Sequence, residues 1–195
     1  MRLKDVKIGF ALTASFCTLG EVFKHMEKLV EEGAEIYPIV TQTMGSTDTK
    51  YGKAEEWRAK LEKLTGHSII DNIVAAEPIG PGKLVDVIVL APCTGNTLAK
   101  LANGITDGPV LMSAKAQLRN QRPVVIAVST NDGLGLNARN LGTLLNTRNI
   151  YMVPFGQDNP KGKPNSLVAK MDLMLDTIEH ALQGRQLQPV LVKYD

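Results

Sequence analysis

Cysteine is almost missing from this sequence. Among 195 residues only Cys17 and Cys93 are cysteines, and neither belongs to a CxxC or a Cys/His cluster. That argues against a disulfide framework and against a thiolate metal centre. Histidine is as sparse: His25, His67 and His180 are scattered, with no second ligand at metal-site spacing, so no metal is expected. No apolar run approaches the ~18 residues of a membrane-spanning helix, and Met1 to Asp5 leads into no signal-type segment. The expectation is a cytoplasmic protein with no membrane contact. Lysine and arginine form no block, and the formal charge is only +2. A phosphate-backbone groove is therefore not expected, nor nucleic acid as a partner. Repeats, low-complexity tracts and a domain boundary are also lacking, so residues 1–195 read as one domain with a substantial core.

What is present is a regular alternation. Val6 to Leu12 reads as a strand, Cys17 to Glu32 as a helix with Leu19, Val22, Phe23, Met26 and Leu29 on one face, and Ile36 to Val40 as a second strand. Thr41 to Thr47 reads as a polar loop and Ala54 to Leu64 as a charged helix. Ser68 to Ala76 fits either a short helix or an edge strand. Val85 to Ala91 is an apolar run broken only by Asp86, the pattern of a strand buried on both faces, and Pro92 should end its ladder. Helices are expected to Gly104 and over about 109–118, then a strand from Pro123 to Ser129, a helix from Asn137 to Leu145 and a short strand from Ile150 to Val153. Ser166 should cap a last helix whose stripe runs from Leu167 to Leu182. The tail from Gln188 to Asp195 holds a small apolar strand, PVLV, free to pair with another element or protomer. This predicts an α/β fold: a doubly wound parallel sheet, Rossmann-like or flavodoxin-like, in a three-layer sandwich. The strand order should be near 3-2-1-4-5, with the switch point between the first strand and the strand at Val85.

Two strand-to-helix turns carry small and hydroxylated residues: Thr13-Ala14-Ser15, and Pro92-Cys93-Thr94-Gly95-Asn96-Thr97. A helix start leaves its first N–H groups unpaired and carries partial positive charge, which suits a phosphate. Thr94 or Asn96 could equally be a plain helix cap. At a switch point the two turns would face each other across a crevice.

GFALTAS at residues 9–15, APCTGNTLAKLANGITD at 91–107 and the polar turn after Val128 resemble the flavoprotein family of homo-oligomeric flavin-containing decarboxylases, a group that includes flavin prenyltransferases. The family motif P-x-S-x-N-T-x-x-K-x-A-x-G-x-x-D is matched at Pro92, Asn96, Thr97, Lys100, Ala102, Gly104 and Asp107, with Thr94 at the Ser position. The resemblance runs at least from Val6 to about Leu145. It implies an FMN site, or a phosphate there if flavin is absent. Thr13, Ala14 and Ser15 would approach the phosphate and ring edge, and Thr41 and Thr43 the phosphate or ribityl chain. Pro92 to Thr97 would cradle the phosphate, with Cys93 a buried filler, and Ser129 and Asn131 would border the ring or substrate. The decarboxylases' P-A-M-N motif is not reproduced at Ser129-Thr130-Asn131-Asp132. Their essential histidine has only His67 as a roughly placed counterpart, so decarboxylation and prenyl transfer are not carried over.

Within the family, GFALTASFCT, the stretch from Ala91 to Val110 and STNDGLGLNARNLG are most similar to the flavoprotein-like member of a two-subunit oxidoreductase. That implies a dehydrogenase-like partner chain, a small dicarboxylate substrate of dihydropyridine type, trimer-based assembly, and the mother cell of a sporulating bacterium as its place. A non-catalytic companion of that partner chain and an independent flavin enzyme remain the alternatives. Arg119, Arg122, Arg139 and Arg148 are available to hold carboxylates, but their spacing does not bring two of them to the crevice.

Overall fold

The first βαβ unit sets the frame. Lys7–Leu12 (β1) is buried at every position after Lys7, as a strand covered on both faces must be. Leu19–Glu31 (α1) turns its apolar stripe, Leu19 to Leu29, onto the sheet and ends at Gly33, whose φ of 92° is one that side-chain-bearing residues rarely adopt. Glu35–Val40 (β2) then lies parallel to β1, from Lys7 opposite Glu35 to Leu12 opposite Val40. This computed structural model describes residues 1–193.

Beyond β2 come Gln42–Ser46 (α2), Ala54–Thr65 (α3), Ile73–Ala76 (α4), Val87–Cys93 (β3), Gly95–Ala102 (α5), Pro109–Arg119 (α6), Val124–Thr130 (β4), Ala138–Leu145 (α7), Ile150–Met152 (β5), Phe155–Gly156 (β6), Leu167–Ala169 (β7) and Met174–Leu182 (α8). The sheet runs β2-β1-β3-β4-β7-β6, with β5 also beside β4. Strands β2, β1, β3, β4 and β5 are parallel, whereas β7 is antiparallel to both β4 and β6. Because β1 lies between β2 and β3, the switch point falls where expected. The ambiguous stretch after Ser68 contributes one parallel bridge, Ile70 to Ile39, on the outer side of β2, and then α4. The order near 3-2-1-4-5 therefore holds, with the outermost place reduced to that bridge.

Three local expectations change, and a fourth resolves to one of its two alternatives. Pro92 does not end β3: the ladder slips between Leu90 and Cys93, where proline has no N–H to give, and resumes with Cys93 opposite Val128. Thr41–Thr47 is not a plain loop, since the Thr41 hydroxyl accepts from Met44 N (3.3 Å) and starts α2. Ser166 does not cap a helix: Leu167–Ala169 is a strand, and the last helix begins only at Met174. The tail pairs within its own chain, Phe155 N donating to Val190 O and Val192 N to Phe155 O, both at 3.0 Å. The part of that expectation on residues 194–195 lies outside the described residues.

Candidate functional site

The carboxyl edge of the sheet is built from hydroxyls that bond one loop to the next. Thr13, at the end of β1, is buried, and its Oγ1 donates to the Pro92 carbonyl (2.6 Å) and accepts from Thr94 N (3.0 Å). Ser15 Oγ lies 3.0 Å from Ser129 Oγ at the end of β4, while the Thr18 hydroxyl donates to the Ser15 carbonyl at 2.8 Å. The two turns expected to face each other are thus joined directly at the switch point. Asn131 turns away, toward Ser166 Oγ at 3.5 Å.

Helix α5 starts at this joint. Thr94 has extended backbone, and its hydroxyl accepts from Thr97 N, so Thr94 is the cap and Asn96 is not. Gly95 fits under the helix start only because it lacks a side chain: a Cβ there would stand 2.6 Å from Thr130 Oγ1 and 2.8 Å from Asn137 Nδ2. Asn137 is held in turn by Asp132 Oδ2 (3.1 Å) and accepts from Asn140 Nδ2 (3.0 Å). The Asn96 side chain is exposed and meets no hydrogen-bond partner among the described residues.

Beside this helix start opens a cleft of about 500 Å³, within the range of small-molecule sites. One wall is Thr41-Gln42-Thr43, the facing wall is Asn96, Thr97 and Lys100 of α5, and Asp71 to Ile73 and Asp107 to Leu111 complete it. Of the sequence-predicted residues, Thr41, Thr43, Asn96 and Thr97 meet in the cleft. Thr13, Ser15, Thr94 and Ser129 form the bonded floor of the sheet edge beside it. Gly95 and Cys93 are packed beneath, and Ala14 is half-buried.

The cleft's charges are paired. Lys100 Nζ lies 2.5 Å from Asp107 Oδ2 and holds that carboxyl below the usual carboxylate range. Arg58 Nη2 lies 2.9 Å from Asp71 Oδ2 and, by that hydrogen bond, does the same there. Neither Asp71 nor Arg58 stood out in the sequence: Asp71 lies in the stretch after Ser68, which has no clear periodicity, and Arg58 is one of several charged residues along α3. Lys100 and Asp107 were legible only as matches to the family motif.

Other candidates fall elsewhere. Burial pushes the Cys93 thiol up to about 12, so at neutral pH it is a protonated apolar filler. His67 stacks on Tyr37 (4.3 Å) with Nε2 3.2 Å from Glu35 Oε1, at the amino end of β2, whereas the cleft lies beyond its carboxyl end. His25 is half-buried, with its pKa lowered chiefly by burial, and His180 Nδ1 lies 2.8 Å from the Asp176 carbonyl. Arg122 is tied to Asp86 and the Lys83 carbonyl at the amino end of β3, and Arg119 borders a separate groove. Among the described residues no group of three or more His, Cys, Asp or Glu could hold a metal ion.

Tyr37 yields a pH prediction. Its hydroxyl donates to Glu35 Oε1 (2.6 Å), and that bond raises its pKa to about 12. A raised folded-state value means the stability is fully present below the free tyrosine pKa of about 10 and is lost as pH climbs toward 12. Tyr37→Phe should cost about 1 kcal/mol at pH 8, after allowance for solvent screening, and almost nothing at pH 12. Urea unfolding at the two pH values measures this; an equal loss at both would refute it.

Residues 1–176 match the family described as Flavoprotein. The chain is 57% identical over 191 residues to the second subunit of dipicolinate synthase from Bacillus subtilis (strain 168), covering 98% of this chain and 96% of that protein. A crystal structure of the same subunit from Bacillus halodurans superposes with a TM-score of 0.92 at 53% identity, covering 100% of both chains. The fold extends to more distant proteins: the FMN-dependent cysteine decarboxylase SpaF matches with a TM-score of 0.66 at 22% identity, over 93% of this chain and 97% of that one.

Proposed function

The chain belongs to the flavoprotein family, and from that premise we propose that it acts as the second subunit of dipicolinate synthase, with an FMN-type site in the cleft beside α5. The observation that carries this reading is the open cleft at the switch point, with the α5 start and the unpartnered Asn96 amide on its wall. A flavin suits it in three ways. The first N–H groups of α5 and the Thr97 hydroxyl are donors for a phosphate. Thr41 and Thr43 offer hydroxyls along the opposite wall for a ribityl chain. Thr13, Ala14 and Ser15, with Ser129, form a preassembled edge for the ring, whereas Asn131 is turned toward Ser166 and is not part of it.

When bound, FMN would supply a two-electron acceptor. Converting a dihydropyridine dicarboxylate to the aromatic pyridine removes a hydride equivalent and a proton, so placement matters more than a strong base. None of the three histidines reaches the cleft, and Cys93 is protonated. The substrate's two carboxylates need paired cations. Lys100 is the one Lys or Arg among the residues lining the cleft, and it is already paired. The rest of the substrate site is therefore assigned to the synthase's other, dehydrogenase-like chain. By the same resemblance the enzyme works in the cytoplasm of the sporulating mother cell.

The test is to assay dihydrodipicolinate oxidation with the two subunits separately and with both mixed. Turnover only in the mixture is expected, and full turnover by this chain alone would overturn the two-subunit reading. An absorbance spectrum of the purified chain separates a flavin subunit, with bands between the near ultraviolet and the blue, from a non-catalytic companion of the dehydrogenase-like chain.

Two predictions belong to this reading. Because Thr94 is the cap, Asn96→Ala should weaken FMN binding by about 1–2 kcal/mol while changing stability by less than about 0.5 kcal/mol. Melts with and without FMN check it, and a lowered melting point at unchanged affinity would refute it. Exposed Ile105, Leu134, Leu136 and Leu145 (Leu136 at 85%) give the chain apolar surface for self-association into trimers. Light scattering at micromolar concentration should show an oligomer rather than a stable monomer.

A further inference from the structure

Asn96, Thr97 and Lys100 lie at i, i+1 and i+4 on α5, so one helix face directs an amide, a hydroxyl and an ammonium at the cleft. Thr97 Oγ1 accepts from Thr94 Oγ1 (3.3 Å), which leaves its own proton to donate. Lys100, though, is engaged: Asp107 holds its Nζ at 2.5 Å. Asp107 is on the segment between α5 and α6, its side chain 53% exposed and that of Lys100 31%. An ion pair so open to water is weak and exchanges readily. Asp107 would not be stranded by losing its partner, because it stands two residues before Pro109, the first residue of α6, where a helix start favours a carboxylate. The cleft's other pair, Arg58 with Asp71, offers no such exchange from the lining, since Asp71 and not Arg58 borders the cleft.

We infer that Asp107 is an internal competitor for Lys100: it holds the ammonium at the rim of the cleft, and an oxyanion entering the cleft takes that ammonium over. Lys100 is then a binding residue for the ligand, and Asp107 a residue that sets the affinity lower than the cleft could otherwise reach. This rests on the cleft being the site of an anionic ligand. The oxyanion is either the phosphate of the flavin or a carboxylate of the substrate.

The sign of two substitutions separates this from a structural brace. A brace loses from either end, so Lys100→Met and Asp107→Asn would act alike. Competition makes them opposite. Lys100→Met should weaken anion binding about tenfold, and Asp107→Asn should strengthen it about three- to tenfold, even as both lower the melting point slightly. In the Lys100→Met/Asp107→Asn double variant the gain should vanish, because no ammonium is left to release. The probes are FMN, riboflavin, inorganic phosphate and pyridine-2,6-dicarboxylate, titrated into the full chain by calorimetry. A gain with FMN and phosphate but not riboflavin identifies the flavin phosphate as the oxyanion, and a gain confined to the dicarboxylate identifies the substrate. If Asp107→Asn folds poorly, Asp107→Ser makes the same test. Wild-type binding with no gain in either Asp107 variant overturns the competition while leaving the site in place. A wild-type chain that binds none of the three anions overturns the reading of the cleft itself, and the competition with it.

Discussion

Phe10→Ala is expected to cost about 3–5 kcal/mol, a large part of the stability of a domain this size. Phe10 is among the largest fully buried side chains and lies in the middle of β1. That strand is hydrogen-bonded on both sides, with Phe10 opposite Pro38 of β2 and Val89 of β3. Removing the ring leaves a cavity where the sheet cannot collapse, because the backbone on either side is fixed by its ladders. Equilibrium urea unfolding measures the loss. A cost below about 1 kcal/mol would mean that the layers over β1 relax far more easily than such packing allows.

Gly95→Val is expected to have the second largest effect, and it acts on the site as well as on the fold. A Cβ at this position comes within 3 Å of both Thr130 and Asn137, and Asn137 is fixed by Asp132 and Asn140. Those neighbours cannot yield as the tip of a long side chain could. The start of α5 must move instead, at about 1–3 kcal/mol in stability. Two or three ligand hydrogen bonds at about 1 kcal/mol each would be misplaced, so FMN affinity should fall by ~100-fold. Calorimetric titration beside a thermal melt measures both. A valine variant that kept wild-type affinity would show that the helix start does not carry the anion.

The regularity of the sheet was legible because parallel strands buried on both faces are nearly continuous apolar runs, as in VIVLA before Pro92 and VVIAV before Ser129. Helices α1, α3, α6 and α7 were legible for the complementary reason: their apolar positions recur at helical spacing and stop near Gly33, Gly66, Asn120 and Asn146. What failed was short and non-local. Leu167, Val168 and Met171 have the spacing of a helical stripe, and Ser166 has the look of a cap. Leu167 and Val168 are instead a strand, because they pair with Thr130 and Ser129, some 40 residues earlier in the chain. Likewise Phe155–Gly156 is too short to show a period and is a strand only because β7 and the tail lie on either side. The site divided in the same way. Thr94, Asn96 and Thr97 could be found from a local turn motif, whereas the Arg58–Asp71 pair depends on α3 folding back beside the end of β2. Local spacing carries no record of that contact.

The antiparallel pairing of β4 with β7 bears on how the cleft's neighbourhood responds to a ligand. Loops that follow parallel strands usually begin where the ladder stops, but Ser129 and Thr130 are still paired, to Val168 and Leu167. Successive residues of a strand donate to opposite sides, so this ladder ties one of the two amide protons; that one, like those of Val125 and Ile126, should exchange with deuterium slowly, while the exposed turn through Leu134 and Leu136 exchanges fast. Ligand arrival should change the first set little. A ring seated against Ser129 would meet a surface that is already ordered, and the entropy of ordering would fall on the side chains of Asn96 and Lys100.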